Sequence, residues 1–247
     1  MSELQLRGDV RTALSHLTLF GLAAILEDAG STDVRVGWTG SLDPRPRVSA
    51  SDLGGSRVGE AVRAHASRHS VDGDWVDDGL MSPRSSPRRD QGEWDALAAE
   101  REPVLDALLS GPARLDLRLI GALGEPAYWR FNQRRERLPD EGASRWEMKT
   151  RNRGEEFVAD RLRKLARSVA HRDTAAIVDG LTGAVTLDEV GADAIDSRTA
   201  TGLAGPGPTD NAAAWCALWG LSALPVVHLV TSPSRTAGHV SNPPGWG

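Results

Sequence analysis

The same short pattern occurs near both ends of the chain. Residues 19–25 read LFGLAAI and residues 218–224 read LWGLSAL, so each segment runs through an aromatic residue, glycine, leucine, a small residue, alanine and an aliphatic residue. Glycine within a helix costs roughly 1 kcal/mol relative to alanine, so it is a poor choice unless its missing side chain is used. Gly21 and Gly220 hold the same place in both segments. The pattern predicts two close-packed core helices that bracket one core from opposite ends of the sequence.

The remaining periodicity predicts an α+β fold, with one or two small mixed sheets packed with helices around that single core. Strands are predicted at residues 4–6, 34–38, 47–49, 115–119, 185–187 and 226–230, with a hairpin turn at 43–46. Helices are predicted at 11–29, 58–67, 93–109 and 155–169, and again after Thr209 or Asp210, either of which could cap the last helix. The apolar segment 175–181 fits a helix or a short strand equally well.

The chain is long enough for one large domain or two small ones. The run SPRSSPRR, within residues 81–92, offers no apolar side chain to a core, and we interpret 81–92 as a flexible loop. This loop separates an N-terminal α+β portion, residues 1–80, from a C-terminal α+β portion, residues 93–247. The two portions could equally form one domain overall.

The composition is that of an ordinary soluble protein. Hydrophobic residues make up 40% of the chain, charged residues 26%, and the formal net charge is -5, which excludes a domain that is basic throughout. No segment approaches the roughly 18 apolar residues of a membrane span, and the first residues do not form a signal peptide. The single cysteine, Cys216, excludes an internal disulfide and suits a reducing compartment. We expect a cytoplasmic protein with no membrane partner.

Motifs for catalysis, metals and cofactors are weak. His65 and His69 have the spacing of two ligands to one metal, but the glutamate of a zincin motif is absent, and a solvated helix face is the better interpretation. Cys216 lies among alanines, as a buried thiol would, so we expect no catalytic residue, no metal and no cofactor. One alternative remains open, a metal-dependent nuclease or hydrolase that uses the carboxylates at 188–196. These are Asp188, Glu189, Asp193 and Asp196.

Positive charge is concentrated in one segment. Residues 130–172 contain thirteen Arg or Lys against seven Asp or Glu, a net charge of +6, so the rest of the chain carries -11. Arginine contacts phosphates and aromatic rings stack on bases, a combination typical of surfaces that bind single-stranded nucleic acid or an RNA backbone. The residues predicted to make such contacts are Trp129, Arg130, Arg145, Trp146, Lys149, Arg151 and Arg153. A solvated basic helix with core tryptophans would give the same pattern.

Four segments, taken in order, carry a family resemblance. They are residues 19–24 (LFGLAA), 145–150 (RWEMKT), 196–203 (DSRTATGL) and the late helix within 211–224. Together they resemble subunits of type I CRISPR effector complexes, in particular the auxiliary or large subunits of the I-U subtype, also called I-G. Those subunits are similarly built around an early Gly-Leu helix, a central Lys-Thr segment and a late helix that runs from Asn to Gly-Leu. The resemblance spans most of the chain through short motifs.

The resemblance implies a noncatalytic role in a prokaryotic antiviral defence complex. Such a subunit would assemble with guide RNA, target DNA and other CRISPR effector subunits, while a separate helicase-nuclease cuts the DNA. Base pairing reads the sequence in these complexes and the protein holds the backbone, which suits the basic segment. A further alternative is a protein-interaction module whose acidic surface binds a basic partner.

Overall fold

The computed structural model describes residues 2–76, 80–81, 91–123, 130–131, 133–134, 137–138, 161–191 and 208–224. The elements in chain order are β1 (Ser2–Gln5), α1 (Ala13–Asp28), β2 (Arg35–Trp38), β3 (Pro46–Ala50), α2 (Gly55–Arg68), α3 (Gln91–Ser110), α4 (Arg114–Leu123), β4 (Arg130–Phe131), β5 (Arg137–Leu138), α5 (Arg163–His171), α6 (Thr174–Thr182) and α7 (Asn211–Gly220). The predicted α+β class is confirmed, and helices predominate among the described residues.

The chain divides into two compact units. One consists of Met1–Val71 with Arg163–Gly220, and the other of Asp72–Leu162 with Leu221–Gly247. The helices α1 and α7, which contain Gly21 and Gly220, both belong to the first unit.

The first unit contains a three-stranded antiparallel sheet in the order β1-β3-β2. Leu4 and Val36 both pair with Val48, so the three side chains share one face of the sheet, and Val48 is fully buried. α1 packs on this face, where the His16 ring lies 4.6 Å from the ring of Trp38. The predicted strands near residues 4–6, 34–38 and 47–49, and the hairpin between the last two, are confirmed.

α1 and α7 cross in direct backbone contact at the two glycines. A Cβ atom on Gly21 would lie 1.7 Å from the carbonyl oxygen of Cys216, and one on Gly220 would lie 2.0 Å from the carbonyl oxygen of Leu17. No other residue type fits at either position without separating the helices. The close packing predicted from the repeated pattern is therefore confirmed, and it lies between the two helices that carry the pattern. Around the crossing Leu22 and other apolar side chains are buried.

α2, α5 and α6 complete the first unit. α2 packs on both α5 and α6, and a Cβ on Gly59 would lie 2.3 Å from the carbonyl oxygen of Thr174. Residues 175–181, which fitted a helix or a short strand equally well in the sequence, lie in the helix α6. Its N-terminus is capped by Asp173, which accepts a 2.7 Å hydrogen bond from the amide of Ala176, and Gly183 ends it with φ 84°.

In the second unit the predicted strand at 115–119 is wrong, because this segment belongs to the helix α4. Leu115, Leu119 and Leu123 are buried at intervals of four, the spacing of one helix face. Asp116 is buried beside them and accepts a 2.8 Å hydrogen bond from the indole nitrogen of Trp75. The alternation over five residues matched a strand only because the window was too short to show the helical repeat.

The predicted strand at 185–187 is also wrong. The amide of Val185 donates to the carbonyl of Asp179, and the amide of Leu187 donates to the Asp210 carboxylate. The carbonyl of Leu187 accepts from the amide of Asn211, so the ends of α6 and α7 bind this backbone in place of a neighbouring strand. The predicted strand at 226–230 and most of the predicted loop at 81–92 lie outside the described residues.

Candidate nucleic-acid interface

α5 exposes several side chains of the basic segment to solvent. Its buried residues are Leu165, Ala166 and Val169. Lys164, Arg167 and His171 are exposed and follow at intervals of three and four, which places them along one stripe of the helix. α5 is thus an amphipathic helix with a basic outer face, as the sequence predicted for 155–169, although the described helix begins at Arg163 and ends at His171.

A buried ion-pair network fixes the C-terminal end of α5. The Arg172 side chain is only 5% exposed, and its Nη1 donates to both carboxylate oxygens of Asp210 at 3.0 Å. Its Nε and Nη2 donate to Glu189 at 2.9 and 2.5 Å, and Nη2 also donates to the carbonyl of Leu187 at 2.6 Å. Asn211 adds a 2.8 Å hydrogen bond from Nδ2 to Glu189. The network ties α5 to the start of α7.

Two of the four carboxylates of the possible metal site lie within the described residues. Both make contacts that stabilise the fold. Asp188 is buried and accepts a 2.8 Å hydrogen bond from the amide of Gly191. Partial burial raises the pKa of Glu189, but the hydrogen bonds and positive charge of Arg172, together with further hydrogen bonds to the carboxylate, hold that pKa below its ordinary value. Asp193 and Asp196 lie outside the described residues. Within the described ranges no group of three or more His, Cys, Asp or Glu side chains could hold a metal ion.

One of the seven predicted contact residues is among those described. Arg130 is the first residue of β4, which pairs with β5 so that Arg130 lies opposite Leu138. The other six, Trp129, Arg145, Trp146, Lys149, Arg151 and Arg153, lie outside the described residues. The structure adds Lys164 and Arg167, which lie within the helix predicted at 155–169, and His171, which lies beyond it.

A cleft of about 360 Å³ opens in the first unit between the start of α1 and the start of α7. Arg45 lines it and donates a 3.0 Å hydrogen bond to the carbonyl of Gly8, and Ser15 accepts a 2.9 Å hydrogen bond from the amide of Asp9. Asp210, on the opposite wall, is bound to Arg172. These polar groups are engaged within the protein and shape the cleft walls.

The two histidines are not on a solvated helix face, and that prediction is wrong. His65 is 2% exposed and His69 3%, and both pack against Trp215 and Trp219 of α7. The spacing in the sequence indicates that these histidines lie on a buried helix face, because positions 58, 62, 65 and 69 repeat at intervals of four, three and four. It was missed because histidine was counted as polar.

Cys216 is fully buried in α7, as predicted. Burial, reinforced by the negative charge of Asp210, raises the pKa of its thiol well above the ordinary value, so the reactive thiolate is scarce at neutral pH. We expect iodoacetamide to leave the native protein unmodified and to alkylate Cys216 fully in 6 M guanidinium, as measured by intact mass. Rapid labelling of the native protein would contradict this burial and reopen a nucleophilic role.

No known family model, curated protein or solved structure matches this chain. Among the described helices, none combines the length and apolar character needed to cross a membrane. The function is therefore argued from the chain's own residues, and the basic stripe of α5 is the described feature most suited to a ligand of opposite charge.

Proposed function

We propose that the protein is a noncatalytic nucleic-acid-binding subunit of an RNA-guided CRISPR antiviral defence complex in the prokaryotic cytoplasm. The observation that carries the nucleic-acid part is the concentration of a +6 charge in residues 130–172 of a chain whose net charge is -5. In α5 this charge reaches solvent through Lys164 and Arg167, and the exposed His171 lies on the same stripe.

The expected contacts are with the phosphate backbone. The exposed groups of α5 are a lysine, an arginine and a histidine on one stripe, and the apolar opposite face is used by the core. A stripe of cations at helical spacing can follow successive phosphates but carries no pattern of acceptors and donors that would select a base sequence. Such binding suits a complex in which base pairing with a guide RNA reads the sequence.

The assignment to a CRISPR complex rests on the sequence resemblance. The RWEMKT motif at 145–150 lies inside the basic segment, so the resemblance and the charge point to the same part of the chain. Guide RNA, target DNA and neighbouring effector subunits are the partners that the resemblance implies. A repeat array and a helicase-nuclease gene beside the coding gene would support this assignment, and their absence would favour a nucleic-acid-binding or protein-binding role elsewhere.

Charge reversal on α5 tests the nucleic-acid proposal. We expect Lys164→Glu combined with Arg167→Glu to weaken binding of a fluorescently labelled single-stranded RNA by about tenfold or more at low salt, measured by anisotropy. The magnitude of the slope of log affinity against log salt should fall by about 1.4, because two phosphate contacts are lost and each contributes about 0.7 on a single strand. Replacing the predicted contacts Arg145, Lys149, Arg151 and Arg153 by alanine should weaken binding in the same way.

The matched control reverses two exposed arginines outside the basic segment, Arg35 of β2 and Arg63 of α2. Arg35→Glu with Arg63→Glu makes the same change in net charge and should leave most of the affinity. Equal losses of affinity in both double variants would mean that binding depends on the net charge of the protein and not on α5. The proposal would be overturned if the wild type bound neither RNA nor DNA at low salt. Metal-dependent cleavage lost in Asp193→Ala and Asp196→Ala would instead establish the nuclease alternative.

A further inference from the structure

Four aromatic side chains from two helices form a buried cluster in the first unit. His65 and His69 of α2 lie with ring centres 5.1 Å apart, and Trp215 and Trp219 of α7 with ring centres 5.5 Å apart. The His65 ring is 4.4 Å from that of Trp219 in an edge-to-face arrangement, and the His69 ring is 4.8 Å from the same indole. Both tryptophans are fully buried. The cluster is where side chains of α2 meet those of α7.

One hydrogen bond in the cluster fixes the protonation state of His65. The Nε1–H of Trp215 donates to Nδ1 of His65 at 3.1 Å. An indole nitrogen can only donate, so Nδ1 must be the unprotonated nitrogen and the imidazole must be neutral with its hydrogen on Nε2. Nε2 is itself buried, with no hydrogen-bond acceptor among the described residues. The hydrogen bonding at this site is therefore compatible only with the neutral imidazole of His65.

The charges around the cluster also oppose a proton on His65. Burial lowers the pKa of His65 well below its ordinary value, and the neighbouring His69 and Arg68 lower it further. His65 also lines a cleft of the first unit to which α1 contributes Asp28, but the Asp28 carboxylate forms an ion pair with Arg68. The other charged or titratable groups nearby are Arg57 and Glu60 of α2, which line that cleft, and Cys216 of α7. The buried residues of α5 and α6 are Leu165, Ala166, Val169, Ile177, Gly180 and Leu181, and the Nε of Arg163 at the start of α5 is also buried.

We propose that this cluster is an acid-sensitive junction between α2 and α7. A proton on Nδ1 of His65 would place two N–H donors against each other, that of the imidazolium and that of Trp215, so the hydrogen bond joining the helices would be lost. The charged ring would also lie buried beside His69, where Asp28, a carboxylate of the same cleft, is already paired with Arg68. The contact between α1 and α7 is made by backbone atoms at Gly21 and Gly220, so protonation acts on the α2 side of α7.

The sign of the effect follows from the proton balance. The unfolded chain binds a proton at His65 near pH 6.5, whereas the folded chain binds it only at lower pH. Stability from the neutral ring is therefore fully present above about pH 6.5 and is lost as the pH falls toward the folded-state pKa. Over that window His65 alone should raise the unfolding equilibrium constant by up to about tenfold per pH unit.

Urea unfolding followed by tryptophan fluorescence at pH 7.5, 6.0 and 5.0 tests the proposal in the full chain. We expect the wild-type unfolding constant to rise on acidification, and His65→Gln to remove most of that rise, because the Gln oxygen can accept from Trp215 but does not titrate in this range. His171→Gln changes an exposed histidine of α5 and should keep the wild-type acid sensitivity. Equal acid sensitivity in His65→Gln and the wild type would overturn the proposal.

A second measurement uses the wild type alone and holds even where the variant fails to fold. In an imidazole ¹⁵N–¹H correlation spectrum at pH 7, the His65 ring should be neutral with its hydrogen on Nε2, and it should remain so as the pH falls through 6.5. A hydrogen on Nδ1 at pH 7, or protonation of His65 at or above pH 6.5, would contradict the junction. Neither measurement depends on nucleic-acid binding, so this inference and the proposed function fail separately.

Discussion

Replacing Gly21 by alanine is expected to lower the free energy of unfolding by about 3 kcal/mol or more, at or beyond the upper end of what overpacking a core costs. The added Cβ would lie 1.7 Å from the carbonyl oxygen of Cys216 and 2.6 Å from the amide nitrogen of Gly220. Both are backbone atoms, so no side-chain rotation can relieve the overlap and the helices must move apart. Urea or thermal unfolding followed by circular dichroism measures the loss.

Gly121→Ala is the matched control, since it makes the same chemical change inside α4, where a Cβ would meet nothing within 4 Å. Alanine should be neutral there or stabilise the helix by up to about 1 kcal/mol, because glycine is the poorer helix former. Gly220→Ala should resemble Gly21→Ala, since its Cβ would meet the carbonyl oxygen of Leu17 at 2.0 Å. If Gly21→Ala is as stable as Gly121→Ala, the close crossing of α1 and α7 is wrong.

The sequence predicted the glycine crossing because a helical glycine is unfavourable by itself. Its presence at matching positions of two apolar helices needed a reason, and close backbone packing is the common one. The sheet of β1, β2 and β3 was similarly predictable from local signals, since Asp43-Pro44-Arg45-Pro46 marks a turn between two short runs of alternating residues. Each of these features has a local signal in the sequence, although α1 and α7 themselves lie near opposite ends of the chain.

Polar side chains whose burial depends on a distant partner were not predicted. The bond between Trp215 and His65 joins positions 150 residues apart, and without its partner a histidine on a helix is expected to face solvent. Arg172 and Asp210 are 38 residues apart, and nothing in the neighbourhood of Arg172 distinguishes it from the solvent-exposed arginines of the same basic segment. From a single sequence, burial can be predicted for apolar side chains, but not for polar side chains that are buried against a distant partner.

In the candidate interface, too, some features were predictable from local sequence signals and others were not. Helical periodicity was enough to predict the basic outer face of α5, because its cations and its apolar residues alternate within nine residues. Contacts proposed at Arg145, Trp146 and Lys149 rest on local composition and on the family resemblance, and they stay predictions. The experiments on α5 and on these residues are separate, so one set of contacts can fail without the other.

Replacing Asp210 by alanine should lower the free energy of unfolding by about 3 to 5 kcal/mol, the cost of removing one partner from a buried ion pair. Asp210 is 4% exposed and accepts two 3.0 Å hydrogen bonds from Arg172. It also accepts from the amides of Leu187 and Ala212 at 3.0 and 2.8 Å, and therefore caps α7 while it holds the preceding loop. Denaturant unfolding followed by circular dichroism measures the change.

Asp173→Ala separates the cap from the ion pair. Asp173 caps α6 through one 2.7 Å hydrogen bond from the amide of Ala176 and is exposed, so its loss should cost only about 1 kcal/mol. Arg172→Met in the Asp210→Ala background should recover part of the larger loss, because no buried guanidinium is then left without Asp210. Equal effects of Asp210→Ala and Asp173→Ala would mean that Asp210 acts as a helix cap alone and that Glu189 is sufficient to neutralise Arg172.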